Sequence, residues 1–272
     1  MSRQAHYEEV GQGFDRSAAS YDHEISLNPA MQYMRRISLA TLGSTFRAGQ
    51  RVLEIGCGTG EEAIALAQRG VYTLATDLSP QMVNLARRKA AAVGLEGWIQ
   101  VRRLAAGQLA ALRDEAPFDG AYSSFGPLNG EPDLSPVREA LAMLLRPNSP
   151  LVASVMNRYC AFETLWYLAH RRPWQAIRRW HGQTMAPVFP DLAAVVPTWY
   201  HTPRSFARAF APAFRAQCCR ALPFLLPPPF AAPLWRDHAR WMQCLVGWEE
   251  RLAPRWPFSA LGDHFLIVLQ RA

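Results

Sequence analysis

Glu54, Gly56, Gly58, Gly60 and Asp77 are the residues of this 272-residue sequence whose types and spacing point most directly to chemistry. The glycines alternate in VLEIGCGTG, where an apolar run ends, and Asp77 closes the next apolar run. Glycines after a strand let a backbone approach a ligand closely. In an open α/β sheet, ligands bind beyond the carboxyl ends of the strands, near the first strand-to-helix turn. The dinucleotide fingerprint GxGxxG would need glycine at position 61, where Glu61 stands, followed by Glu62. A helix N-terminus attracts anions, so two carboxylates there compete with a phosphate. They suit an adenosine ligand that carries no phosphate, its ribose hydroxyls donating to Asp77. S-adenosylmethionine, with its cationic sulfonium, is such a ligand.

These residues need strands and helices to hold them. RVLEIG, VYTLATD, WIQVRRL, FDGAYSSF and PLVASVM read as strands. EEAIALAQRG, ended by Gly70, and SPVREALAMLL read as helices; so does SPQMVNLARRKAAAVG, with Ser79 as N-cap and Pro80 at its first position. Alternation of this kind predicts a largely parallel sheet with right-handed crossovers. HFLIVLQ near the end, and FRAQCCRAL before it, are strand candidates for an antiparallel edge.

VLEIGCGTG, ATDLSPQMVNLARRKA and FDGAYSSFGPLN together resemble the class I S-adenosylmethionine-dependent methyltransferases. Within them, the chain resembles the small-molecule branch of the ubiquinone/menaquinone and biotin-pathway enzymes. The resemblance covers residues 10–156 and the closing strand at 264–270. It implies an α/β fold: a Rossmann-like, mostly parallel seven-stranded sheet with an antiparallel terminal strand, helices on both faces and a helical cap from insertions. Carried across, Glu54 and the run Gly56, Cys57, Gly58, Thr59 and Gly60 face the methionine part of the donor, and Asp77 its ribose. Leu78 and Met82 flank the adenine, and Ser123 and Phe125 border the donor. FDRSAASYD at 14–22 resembles a segment that folds over the donor, which makes Tyr21 either a lid contact or a helix-packing residue. Many relatives carry Gly-Asp-Ala after the third strand, the aspartate receiving the adenine amino group. Here the stretch is LAAGQL, with Ala106 in that place beside Gly107; Gln108 or a backbone carbonyl could substitute.

Composition shifts sharply near residue 157. Residues 157–260 hold 13 arginines against five acids, with eight of the nine tryptophans and 13 of the 21 prolines. The expected organisation is a helical lid (1–48), a donor-binding core (49–156), a mainly helical substrate cap (157–260, with a core helix and strand near 203–220) and a closing core strand (261–272). Arginine with tryptophan has three readings: single-stranded RNA binding, a membrane-surface helix in HRRPWQAIRRWHG, or a cap with its own tryptophan core and solvated arginines. No RNA-binding motif is present and the Asn/Asp-Pro-Pro-Tyr/Phe signature of base N-methylation is absent, which disfavours nucleic acid. The acceptor expected is a small hydrophobic or aromatic molecule, methylated at oxygen, carbon or nitrogen, with peripheral membrane contact as a further expectation. Rival readings are an RNA methyltransferase and a non-catalytic donor-binding scaffold. Oligomeric state stays open.

If the acceptor is a hydroxyl, a proton must leave it, and a histidine suits that task. His201 in TWYHTP and His264 in GDHF are the candidates, each with structural packing as the alternative. Tyr122 and Tyr200 are candidate aromatic walls, and Asn129 a candidate acceptor contact or a turn residue beside Gly130. Five cysteines without CxxC or metal spacing read as reduced thiols, and no metal is expected. The N-terminal MSRQAHYEEV has no apolar stretch of a leader, so a cytoplasmic location is expected.

Overall fold

A computed structural model describes residues 2–188 and 194–272. The chain opens with three helices, α1 (Arg3–Ser17), α2 (Tyr21–Leu27) and α3 (Pro29–Thr45). Asn28 starts the third: its side-chain oxygen accepts from the backbone N–H groups of Ala30 and Met31, and Pro29 takes the first position. Strand and helix then alternate as β1 (Arg51–Ile55), α4 (Glu61–Ala67), β2 (Tyr72–Asp77), α5 (Pro80–Ala92), β3 (Ile99–Arg103), β4 (Gly120–Ser123), α6 (Ser135–Leu144) and β5 (Pro150–Met156). Ser79 caps α5 through its hydroxyl, which accepts from Met82 N–H. Short 3-10 turns at Ala106–Glu115 and Pro127–Gly130 flank β4.

The next segment holds α7 (Ala161–Ala169), α8 (Pro173–Ala176), a 3-10 turn at Arg178–His181, β6 (Gln183–Pro187) and β7 (Val195–Trp199). β6 and β7 pair antiparallel as a separate ribbon, which the expectation of a mainly helical cap did not include. α9 (Pro203–Phe210) and β8 (Phe214–Leu222) return to the core. α10 (Pro233–Asp237) and α11 (Ala239–Leu252) follow, and β9 (His264–Arg271) closes the chain.

The main sheet has the order β3-β2-β1-β4-β5-β9-β8. β1 to β5 pair in parallel, and β9 runs antiparallel to both of its neighbours. Alternation along the strands sends successive side chains to opposite faces. Leu53, Ala121 and Leu151 join one buried cluster with Phe118, Leu141 and Phe206. Val52, Tyr122 and Val152 join another, with Met34 and Phe46.

Two features of this topology position the site. Strand order reverses at β1, which has β2 on one side and β4 on the other, and such a switch point opens a crevice at the carboxyl ends. β9 is antiparallel, so it begins where the parallel strands end: its first residue, His264, pairs with Met156, the last of β5. The chain's final strand thereby brings a histidine to the rim where ligands bind. Among the described residues, no helix is long and apolar enough to cross a membrane.

Candidate active site

A cavity of about 250 Å³ lies at that rim, between the strand ends, the N-terminal helices and the cap. Its floor is the glycine loop. Gly56 adopts φ +72°, and a Cβ there would come within 2.3 Å of Pro127, so only glycine lets the turns after β1 and β4 meet. Asp77, at the end of β2, accepts from Gly58 N–H through Oδ2 (2.8 Å) and from Ser79 N–H through Oδ1 (2.9 Å). Each oxygen keeps a lone pair for a further donor. Burial pushes its carboxyl up to about 6, against the lowering by these backbone hydrogen bonds. Asp77, Leu78 and Met82 line the cavity, as do Gly58 and the Tyr21 ring at the start of α2. A glycine floor and a carboxylate able to hold two hydroxyls fit an adenosine-type methyl donor.

The rest of the glycine motif builds the loop without lining the cavity. Cys57 N–H donates to Thr76 O, and Thr59 donates through its hydroxyl to Asp22 of α2 (2.6 Å). Gly60 packs against Ala86 of α5. Glu54 is buried inside β1, its Oε2 without a hydrogen-bond partner, and burial with the nearby Glu62 holds its carboxyl well above the usual range. The two glutamates after the motif are clasped: Glu61 pairs with Lys89 of α5, and Glu62 with Arg35 of α3 at 3.0 Å. They tie the helices around the donor loop, in addition to any effect on a phosphate.

The loop after β3 departs from expectation. Ala106 lines the cavity, but Gln108 turns back to accept from Ala105 N–H (3.2 Å) instead of reaching inward. Gly107 N–H donates to Glu131 Oε1 at 2.9 Å, and Glu131 Oε2 accepts from the Tyr7 hydroxyl of α1 at 3.0 Å. Glu131 is buried on the cavity wall, and burial raises its carboxyl against these two hydrogen bonds. Sequence reasoning missed it, because its partners lie 24 and 124 positions away.

After β4, Phe125 lines the cavity with φ +61°, whereas Ser123 is buried off the cavity with its hydroxyl unpartnered and Ser124 faces in. Tyr122 is no wall: β4 directs it into the core against Phe46. Asn129 lines the cavity, yet its amide is committed to the scaffold. Its Nδ2 donates to Met156 O (3.1 Å) and Trp199 O (2.7 Å), and its Oδ1 accepts from Met156 N–H (2.8 Å).

The two candidate bases separate cleanly. Tyr200 and His201 are neighbours on extended chain, so only one can face the cavity, and it is Tyr200. His201 is packed edge-on against Phe206, its Nε2 unpartnered; burial first, then Arg158, lower its pKa to about 4. It is therefore not placed as a base. His264 lines the cavity, with its Nδ1 donating to Asp263 Oδ2 at 2.7 Å. That bond fixes the tautomer that leaves a lone pair on Nε2, which faces the Gly126 turn. Arg179 bridges Asp263 Oδ1 (2.7 Å) and Glu163 Oε2 (2.6 Å), and Arg178 pairs with Glu163 at 2.8 Å. Burial would raise the Asp263 carboxyl, but Arg179 and His264 together hold it well below the usual range. Asp263, Arg179 and Glu163 were not singled out from sequence, although Asp263 stands next to His264. The same network corrects the reading of HRRPWQAIRRWHG as a surface helix: its second arginine pair turns inward and joins cap to core.

A family model described as "Methyltransferase domain" matches residues 52–148. Residues 52–148 form a methyltransferase domain. Over 139 residues the chain is 37% identical to a ubiquinone biosynthesis O-methyltransferase of Xylella fastidiosa, covering 50% of this chain and 51% of that one. The chain thus spans about half the length of the curated relatives it matches. The 1,6-didemethyltoxoflavin-N1-methyltransferase of Burkholderia thailandensis, solved with S-adenosylhomocysteine, superposes with a TM-score of 0.60 at 17% identity, over 100% of this chain and 91% of that one. The [4+2]-cyclase SpnF superposes at 0.55 and 16% identity, over 87% and 80%. The methyltransferase domain therefore sits in the Rossmann-like fold shared by S-adenosylmethionine-dependent methyltransferases, a fold that also carries other chemistry.

Proposed function

We propose that the protein transfers a methyl group from S-adenosylmethionine to a hydroxyl of a small, largely hydrophobic or aromatic acceptor, with His264 as general base. The observation that carries this reading is the His264–Asp263 pair on the wall of a cavity that Met31, Phe125, Val196, Tyr200 and Phe230 also face. When bound, the donor supplies a methyl carbon activated by a sulfonium. The chain's residues do the rest. Asp77 and the glycine loop hold the donor, and the N-terminal helices and the cap exclude water. His264 Nε2 takes the hydroxyl proton as the oxygen attacks, and Asp263, fixed by Arg179, stabilises the imidazolium that forms. The relatives named O-methyltransferase favour oxygen over carbon or nitrogen. The test is methyl transfer to a panel of phenols by the wild type and His264→Gln. Equal rates in both would refute the assigned base.

Contact with an anionic bilayer is supported by one further observation. On α11 the exposed residues Trp241, Cys244, Trp248 and Arg251 fall on one stripe, and Trp256 beyond it is 85% exposed. Tryptophan and arginine together suit a lipid headgroup region. Co-sedimentation with vesicles containing phosphatidylglycerol, weakened in Trp241→Ser/Trp248→Ser, is the expected result; no binding by the wild type would contradict it.

A further inference from the structure

The donor slot runs from Asp77 past Leu78 and Met82 toward Leu104 and Ala106 at the end of β3, under Tyr7 and Val10 of α1. If Asp77 holds the ribose, as the donor reading above requires, the base lies in this stretch. Among the described residues lining that end, Glu131 alone carries a charge. We infer that Glu131, reaching across from the turn after β4, reads the amino group of the donor's adenine where Ala106 offers no polar atom. This rests on the proposed methyl donor.

The surroundings are built for a carboxylate. Gly107 and Tyr7 each satisfy one lone pair of its two oxygens, and a carboxylate has about four such positions, so acceptor capacity remains for an amino N–H. A Cβ at position 107 would lie 2.2 Å from the Tyr7 hydroxyl and 3.1 Å from Glu131 Oε2, so the close approach of loop, helix and carboxylate requires glycine there. His6 adds a second tie from α1 to this turn, its Nε2 lying 2.7 Å from Gly130 O. The carboxylate is thus fixed before a ligand arrives.

Adenine presents a donor amino group at the edge where hypoxanthine presents an acceptor oxygen. A carboxylate there selects adenine. Glu131→Gln keeps the shape: its oxygen can still accept from Gly107, and its amide nitrogen can donate both to Tyr7 and to a hypoxanthine oxygen. The experiment is calorimetry with S-adenosylhomocysteine and S-inosylhomocysteine on the wild type, Glu131→Gln and Tyr7→Phe. A hydrogen bond to a charged group implies a wild-type preference for the adenosyl ligand of about tenfold or more. Glu131→Gln is expected to erase or invert that preference, and Tyr7→Phe, which keeps the carboxylate, to retain it. If the wild type binds S-adenosylhomocysteine and Glu131→Gln keeps the full preference, the inference falls and the donor site stands. If the wild type binds neither ligand, the donor reading falls and takes the inference with it.

Discussion

The two sides of the cavity, proposed for donor and acceptor, are built by different means. On the donor side, the glycine loop and Asp77 come from β1, β2 and the turns that follow them, and Gly56 and Gly58 present backbone to the cavity. On the acceptor side, His264, Asp263, Arg179 and Glu163 come from segments up to 101 positions apart and meet through polar side chains. Backbone-built sites leave a local pattern in the sequence, since spacing and glycine content are themselves the device. Side-chain-built sites leave only residue types, and their partners emerge when the chain folds.

That contrast can be broken or sharpened by mutation. The largest effect is expected at His264: replacement by Ala should lower kcat on hydroxyl acceptors about 10²–10⁴-fold, the usual range for a lost general base, with S-adenosylhomocysteine affinity unchanged. Unchanged turnover would mean that the acceptor side does no proton chemistry. Next is Arg179→Met, which leaves two buried carboxylates short of their shared cation, Glu163 with Arg178 alone and Asp263 with His264 alone, and should cost about 3–5 kcal/mol of stability, read as a lower Tm. A small change would show the network to be solvated in solution.

Asp77→Asn should weaken donor binding about tenfold, the scale of a hydrogen bond to a charged group. Its pH dependence has a definite sign. The carboxyl is raised to about 6, so the free protein favours the neutral form below that pH, while ribose hydroxyls favour the ionised form. Wild-type affinity for S-adenosylhomocysteine should therefore fall as pH drops through about 6. In Asp77→Asn, titration calorimetry should find a flat profile.

The smallest effect is expected at His201. Its pKa is depressed from 6.5 to about 4, so the stability it contributes is present above pH 6.5 and lost as pH falls toward 4. His201→Phe should shift stability at pH 7 by no more than about 1 kcal/mol and flatten the loss between those two pH values, measured by urea unfolding. A variant as acid-sensitive as the wild type would place that loss elsewhere.

Much of the fold was legible because its signals are periodic or local. The strand–helix alternation of 51–156, the Ser79 cap and the closing antiparallel strand all rest on patterns within a few residues. The half of the cavity proposed for the donor was legible for the same reason: Gly56, Gly58, Asp77, Leu78 and Met82 line it, whereas Thr59 and Gly60 only support it. Tyr122 and His201 misled because residue type does not reveal which face of a strand a side chain takes, and a shift of one position reverses it. Glu131 and Arg179 left no signal, since each acquires its role from partners distant in sequence. The ribbon of β6 and β7 was hidden in a stretch where proline and tryptophan obscure alternation.

The most direct test of this account is transfer of a deuterated methyl group from S-adenosylmethionine to a panel of apolar phenols, followed by mass spectrometry, with wild type and His264→Gln side by side. The expected result is a methylated phenol from the wild type, a loss of about 10²-fold or more in the variant, and equal S-adenosylhomocysteine affinity in both. Equal product from the two proteins, or none from a wild type that binds the donor, would contradict it.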